Sequence, residues 1–423
     1  MLAGNVLLGG LLLSGFDKKL ERWAVGAPLN DTTFVPFKIV SKEQVSPTSF
    51  IITVEPRYKR RVEDRSDENN TGNDARLKSL LKSIRPSRWQ QPFHASISVL
   101  EEAWEHGLWS VEIKQPQLQV ARNYTPLPSS PSEEERADID HGYLRFLIRK
   151  MDGGEVSTYL SKLQVGELVE LRGPHLGFDV RTRLGNADRV VFLAGGTGIA
   201  PALQTARALL DHETPESAPK PSINIVWANR HRTDCSGCET LSLPSQTLPT
   251  DPPLANPITS LLAEMKHRHG NNLNISCTVD DEDTFINPAA ITNATHSPST
   301  TTAPSSKWPS WLWSQPKKPI TTTPTTPFVD TAACPSHSQP LLASKDAHDS
   351  AGIECKCQDI DGHPVPGGKN LLMVSGPDGF ISTFAGAKTW GDGIEMQGAL
   401  GGVVGALEKR DPGFWGRWLA LKL

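Results

Sequence analysis

VVFLAGGTGIAP, residues 190–201, joins an unbroken apolar run to a glycine-rich turn that opens a helix-forming segment with proline early in it. Consecutive apolar residues suit a strand buried on both faces, as in parallel sheets. The glycines let the backbone turn sharply and approach a phosphate closely, and free N–H groups at the helix start favour that anion. Alone, such a turn is equally a tight strand-to-helix connection, so its neighbours decide. APALQTARALLD (200–211) and Ile258–His269 read as helices, while INIVWA (223–228), Leu273–Val279 and NLLMVS (370–375) read as buried strands. Strand and helix alternate, which predicts a parallel α/β domain.

Upstream the texture differs. FKIVSKEQVSPTSFIITVE (37–55) reads as two antiparallel strands around a Ser-Pro turn. Strand-like segments recur at LWSVEIKQPQLQV (108–120), GYLRFLIR (142–149) and Leu168–Arg172, with one helix at EVSTYLSKL (155–163). Many short strands with a single helix predict a small antiparallel β-barrel. The expected fold class is therefore β plus α/β, a barrel over residues 36–178 followed by a parallel α/β domain over 179–423. A polar insert at 58–91, with a helix near Leu77–Ile84, interrupts the barrel. A Ser/Thr/Pro-rich insert at about 285–350 interrupts the second domain; its composition buries too little apolar surface to offset ordering entropy, so it is expected to be disordered. Within it, WPSWLW (308–313) reads either as local packing or as a docking motif.

The chain has 423 residues, enough for two domains, and a net charge of −4 with dispersed Lys and Arg. That balance excludes an electrostatic nucleic-acid footprint. Residues 1–35 form an N-terminal segment whose first 16 residues, MLAGNVLLGGLLLSGF, are apolar and uncharged. They are short for a spanning helix and read as part of a membrane anchor or as a plain helix. CysSerGlyCys (235–238) and CysLysCys (355–357) leave three readings open: halves of a zinc site, a redox pair, or loop thiols. No metal is assigned.

Four blocks occur in order: ArgAsnTyrThr (122–125), GGEVSTYLSKLQVGELVELRGP (153–174), AlaGlyGlyThrGlyIleAlaPro (194–201) and SerGlyProAspGly (375–379). Together they resemble the ferredoxin–NADP reductase superfamily, in particular its NADH–cytochrome b5 reductase branch. The resemblance covers about 36–231 and 370–405 and implies FAD as cofactor and NADH or NADPH as electron donor. It implies that Arg122 faces the FAD pyrophosphate, that Tyr124 stacks on the flavin, and that Thr125 hydrogen-bonds at its hydride-accepting atom. Leu147, Arg149, Gly154, Val156, Ser157 and Thr197 complete the implied FAD set, with backbone amides and a hydroxyl from Gly154, Val156 and Ser157 on the pyrophosphate. Gly195, Gly196, Gly198, Arg230, Gly376 and Pro377 form the implied NAD(P) set, with Arg232 as a further adenosine-side candidate beside Arg230. Ser375 and Thr125 are the candidate catalytic residues.

Ser375 stands where the family commonly has cysteine beside the nicotinamide, which puts the rate of hydride transfer in doubt. The chain also continues through EKRDPGFWGRWLALKL, where the family often ends on an aromatic. ValSerGlyProAspGlyPhe (374–380) and GlnGlyAlaLeuGlyGlyValValGly (397–405) are similar to a fungal subgroup, the mitochondrial cytochrome c import factors. This implies an inner-membrane protein facing the intermembrane space, with cytoplasmic or other membrane-associated placement as the alternative. The implied partner is a haem protein or a cytochrome c haem lyase. Two functions then compete: an NAD(P)H-dependent flavin reductase, and a flavin-bearing assembly factor with little turnover.

Overall fold

The computed structural model describes residues 29–57, 91–129, 142–212, 220–242, 256–296, 369–391 and 394–423. These form two compact units, one from the described residues within 1–43, 50–105 and 109–175, the other from those within 44–49, 106–108 and 176–423. The expected helix at 77–84, WPSWLW, Cys334, Cys355, Cys357 and the apolar N-terminal run lie outside the described residues.

In the first unit, strands β1 (Val35–Gln44), β2 (Ser49–Pro56), β3 (Trp109–Gln115), β4 (Val120–Tyr124), β5 (Pro126–Leu127), β6 (Leu144–Arg149) and β7 (Leu168–Leu176) form one sheet, ordered β4-β3-β7-β1-β2-β6-β5. The pairs β1–β7, β3–β4 and β5–β6 run antiparallel. Period-two alternation drives them: Val35, Phe37 and Ile39 of β1 and Val111 and Ile113 of β3 point into one core with Phe146 and Ile148 of β6. β4 and β5 lie at opposite edges of the sheet, yet Thr125 alone separates them in the chain. One residue spans less than 4 Å. The sheet must therefore curl until its edges meet at Thr125, which makes it the expected barrel.

Two helices belong to this region. α1 (Gln91–His106) was not expected from the sequence. It begins where the polar insert was predicted to end, and buries Leu100, Ala103 and Trp104, with Trp104 meeting Trp109 edge-on at 5.0 Å. Spacing of three and four is a helical signal, and the charged residues between masked it. α2 (Glu155–Lys162) buries Val156, Ser157 and Leu160.

The second unit is an all-parallel sheet ordered β10-β9-β8-β11-β14, built from β8 (Arg189–Gly195), β9 (Ser222–Asn229), β10 (Leu273–Val279), β11 (Asn370–Ser375) and β14 (Trp418–Lys422). Its longer helices are α3 (Val180–Leu184), α4 (Ile199–Leu210), α5 (Pro257–His269), α6 (Pro288–His296) and α7 (Asp378–Ala385), with single helical turns at Gly402–Gly405, Leu407–Arg410 and Phe414–Arg417; β12 (Thr389–Gly391) and β13 (Ile394–Met396) make a separate hairpin. Every residue of β8 after Arg189 is buried, as the unbroken apolar run requires. α6 revises the expected insert: Ile286 and Ile291 are buried in this unit's core, so the packed chain continues to His296 rather than stopping near 285. The C-terminal tail forms edge strand β14, paired with β11 from Asn370↔Trp418 to Val374↔Lys422.

Candidate functional site

Strand order places the first unit's candidates. Arg122 and Tyr124 alternate onto the same face of β4, opposite Ile113 and Val111 of β3. Thr125 follows at the barrel closure, half-buried. Tyr124 is half-buried as well, and desolvation pushes its hydroxyl up to about 12, so the ring remains a neutral phenol. Leu147 is buried in β6, and Arg149, two residues on, shares its face.

The start of α2 lies beside β4. Gly153 has φ +73°, and a Cβ on Gly154 would sit 2.6 Å from the Ser157 Oγ, so both glycines are required by the turn. No side chain caps this helix, which leaves its first N–H groups for an anion. The exposed guanidinium of Arg122 reaches the same place, with its Nη2 3.6 Å from the Glu155 carboxylate. A cation beside an uncapped helix start fits a pyrophosphate. The detail differs from the sequence reading at two residues. The Gly154 N–H donates to the Met151 carbonyl at 3.0 Å, and the Ser157 hydroxyl accepts from the Met151 N–H at 3.1 Å while donating to the Gly154 carbonyl. Both are used inside the turn; Glu155 and Val156 head the helix.

In the second unit the sheet order reverses between β8 and β11, because the chain steps from β8 outward to β9 and β10, then returns to β11 and β14. The crevice beyond the strand ends at such a switch point is where open parallel sheets bind ligands. Gly195 ends β8 and Gly196, Thr197 and Gly198 form the turn after it; Ser375 ends β11, opposite Ala194, and Gly376 and Pro377 follow it. The glycines are needed for close approach: a Cβ on Gly198 would lie 2.3 Å from the Ser375 carbonyl oxygen, and one on Gly195 would enter the Phe380 ring. Trp227 Nε1 donates to the Gly196 carbonyl at 2.9 Å and fixes the turn. Ser375, the last residue of β11, is only 5% exposed.

Asn229, at the end of β9 and next to the candidate Arg230, was missed as a site residue. It is 4% exposed, and among the described residues neither its carboxamide oxygen nor its nitrogen has a partner. Buried amides are satisfied as a rule, so this one fits a ligand or water in the crevice. The two candidate arginines fare differently. Arg230 is exposed, facing the partly buried carboxyl of Asp280. Arg232 is engaged by Glu282, by Glu239 at 3.2 Å and by Cys238 Sγ at 3.0 Å, and is not available to a nucleotide phosphate without breaking those contacts.

Residues 108–179 match the oxidoreductase FAD-binding domain family, and residues 192–250 match the oxidoreductase NAD-binding domain family. The cytochrome c mitochondrial import factor of Saccharomyces cerevisiae is 30% identical over 36% of this chain and 34% of its own. NADH-cytochrome b5 reductase 1 of Mycosarcoma maydis is 33% identical over 27% of this chain and 31% of its own. The chain thus matches about a third of the length of these curated relatives. The cytochrome b5 reductase domain of Ulva prolifera nitrate reductase is 20% identical, covering 60% of this chain and 76% of its own, with a TM-score of 0.35.

Proposed function

We propose that this chain, whose residues 108–179 and 192–250 match FAD-binding and NAD-binding oxidoreductase domains, is an oxidoreductase of the ferredoxin reductase type that takes electrons from NADH or NADPH and passes them through FAD to a haem-type acceptor. The observation that carries this reading is the pairing, in one chain, of a barrel closed at Thr125 beside Arg122 with a glycine-lined switch-point crevice. Bound FAD would supply the step from two-electron hydride chemistry to one-electron delivery. Arg122 and the start of α2 would hold its pyrophosphate, Tyr124 would flank the ring system, and Thr125 would hydrogen-bond at the ring edge. Gly195–Gly198, Asn229, Gly376 and Pro377 would hold the nicotinamide nucleotide, with Ser375 beside the reacting carbon and Arg230 toward the adenosine.

The role in the cell follows the same relatives. The import-factor similarity supports mitochondrial association and a part in cytochrome c maturation, with a haem protein or haem lyase as partner. Among the described residues no helix is long and apolar enough to cross a membrane, so inner-membrane attachment would rest on the N-terminal run. The second reading, an assembly factor with little turnover, is favoured by Ser375, whose hydroxyl is less polarizable than the family's usual sulfur.

Anaerobic titration of the purified protein with NADH and with NADPH, followed by ferricyanide reduction, tests the proposal. Flavin bleaching by one of the two, with steady turnover, is the expected result. Bound flavin that neither nucleotide bleaches overturns the reductase reading and leaves the assembly factor.

A further inference from the structure

CysSerGlyCys (235–238) is not used by the proposed electron path, yet the fold builds a specific environment around it. Cys235 ends one short 3-10 turn, Arg232–Cys235, and Cys238 begins the next, Cys238–Ser242, with Gly237 at φ +85° bending the chain between. The bend sets the two thiols side by side, close enough to influence each other's ionisation, and Cys277 of β10 lies close enough to do the same. Arg232 Nη1 lies 3.0 Å from the same sulfur. One cationic donor and two neighbouring thiols thus surround a single sulfur. Cys235 and Cys238 are 0% and 1% exposed. Among the described residues no three His, Cys, Asp or Glu side chains converge as metal ligands.

We propose that Cys235 and Cys238 are a peroxide-oxidisable dithiol, with Cys238 the attacking sulfur and Cys235 the resolving one. The arrangement suits that chemistry because the thiolate is the nucleophile, and hydrogen bonds to sulfur with a nearby guanidinium favour it. The Cys238 thiol is lowered by the hydrogen bonds from Cys235 and Cys277 and by the Arg232 charge, against desolvation; the Cys235 thiol is raised by its hydrogen bond to Cys238 and by burial. Cys238 is thus the more readily ionised of the two sulfurs.

The Cys238 thiolate attacks one oxygen of hydrogen peroxide; the O–O bond breaks, giving a sulfenic acid and hydroxide. Hydroxide takes the Cys235 proton and becomes water. The Cys235 sulfur then attacks the sulfenic sulfur, the S–O bond breaks, and the departing hydroxide takes one proton from the buffered bulk solvent and becomes the second water. In sum, a thiolate, a thiol, one proton and one peroxide give one disulfide and two waters, with two electrons passing from sulfur to oxygen. Burial selects an oxidant of peroxide's size over bulky disulfides. Two intervening residues on one bend make Cys235 the resolving partner in preference to Cys277, which stands on a separate strand. Arg232 loses its sulfur acceptor in the oxidised form.

The test uses the full chain, reduced, desalted and titrated with hydrogen peroxide, with remaining thiols alkylated and peptides mapped by mass without reduction. The expected product is the peptide holding residues 235 and 238, unalkylated and lighter by two hydrogens, formed before any other cysteine reacts. A Cys235→Ser variant should accumulate sulfenic acid at Cys238, with dimedone labelling roughly tenfold above wild type, and Arg232→Gln should slow oxidation roughly tenfold. The wild-type map stands on its own should either variant fail to fold. A Cys238–Cys277 disulfide, oxidation beginning at another cysteine, or a tightly bound zinc that protects the pair would each overturn the proposal.

Discussion

At the residue scale, the first question is what Arg122 does before flavin arrives. Glu155 heads α2, where a carboxylate favours the helix dipole, and its Oε2 lies 3.6 Å from Arg122 Nη2. The same two features that suit a pyrophosphate are shared with an internal anion. Both groups are largely exposed, so the pair is worth about 0.2–1 kcal/mol, and Glu155→Gln should tighten FAD twofold to fivefold. Arg122→Ala should weaken it far more, since a hydrogen bond to a charged group contributes about 1.5–3 kcal/mol, roughly tenfold to 150-fold in Kd. Flavin fluorescence quenching on apoprotein measures both, and equal affinities for wild type and Arg122→Ala would remove this site from the reading.

A second residue has a pH signature. Lys422 is buried, and its ammonium donates to the carbonyls of Ala387 at 3.0 Å and Ala399 at 2.9 Å, clasping the two feet of the β12–β13 hairpin. Desolvation, with the Lys388 charge behind it, lowers its pKa to about 8. The folded value lies below the unfolded one, so the unfolded chain holds more protons between about pH 8 and the ordinary lysine range near 10.5. Stability from this group is complete above the unfolded value and is lost as pH falls through about 8. The gap in denaturation midpoint between wild type and Lys422→Met should therefore widen from pH 7 to 9.5; parallel curves would show that the amine titrates normally.

At the element scale, β14 extends the second sheet past β11. Its first residue, Trp418, is 2% exposed and stacks on Phe414 with centroids 5.4 Å apart, while Phe414 meets Trp415 edge-on. This aromatic trio seals one flank of the core that also holds Leu372 and Val374 of β11. Truncating a buried tryptophan to alanine costs about 3–5 kcal/mol. Trp418→Ala should lower the melting temperature by roughly 6–20 °C at the sensitivity of a domain this size. The flavin, held by the other unit, should stay bound in Trp418→Ala at room temperature. A shift under a degree would show that β14 adds little to the fold.

At the scale of the whole molecule, the question is where the body ends and the Ser/Thr/Pro-rich sequence begins. Helix α6 lies inside the expected insert, with Ile291 fully buried and the Thr295 carbonyl accepting from Arg189 Nη1 at 3.2 Å. Two deletions separate the possibilities. Removing residues 298–350 should leave the melting temperature and flavin content close to wild type, because composition alone argues that this stretch adds mainly loop-closure entropy. Removing 287–350 takes α6 as well, opens the core over Ile286, and should unfold the second unit first. Differential scanning calorimetry distinguishes them, and identical thermograms would mean that α6 contributes nothing.

What the sequence by itself determined was everything governed by local pattern. The unbroken apolar run at 190–194 could only be a doubly buried strand, the alternation in 37–55 a half-buried pair, and Gly-Gly-Thr-Gly a sharp turn, because each follows from side-chain period and backbone freedom. Tertiary structure decided what depends on residues far apart in the chain. Thr125 is the barrel's seam only because sheet order puts β4 and β5 at opposite edges. Gly198 must lack a Cβ because the Ser375 carbonyl, from a strand much later in the chain, lies against it. Asn229 becomes a binding candidate only once burial strips its amide of partners, and Arg232 stops being a free cation once Glu282 and Cys238 fold against it. Local pattern carries no information about such partners, since which groups meet is set by strand order and packing rather than by spacing along the chain.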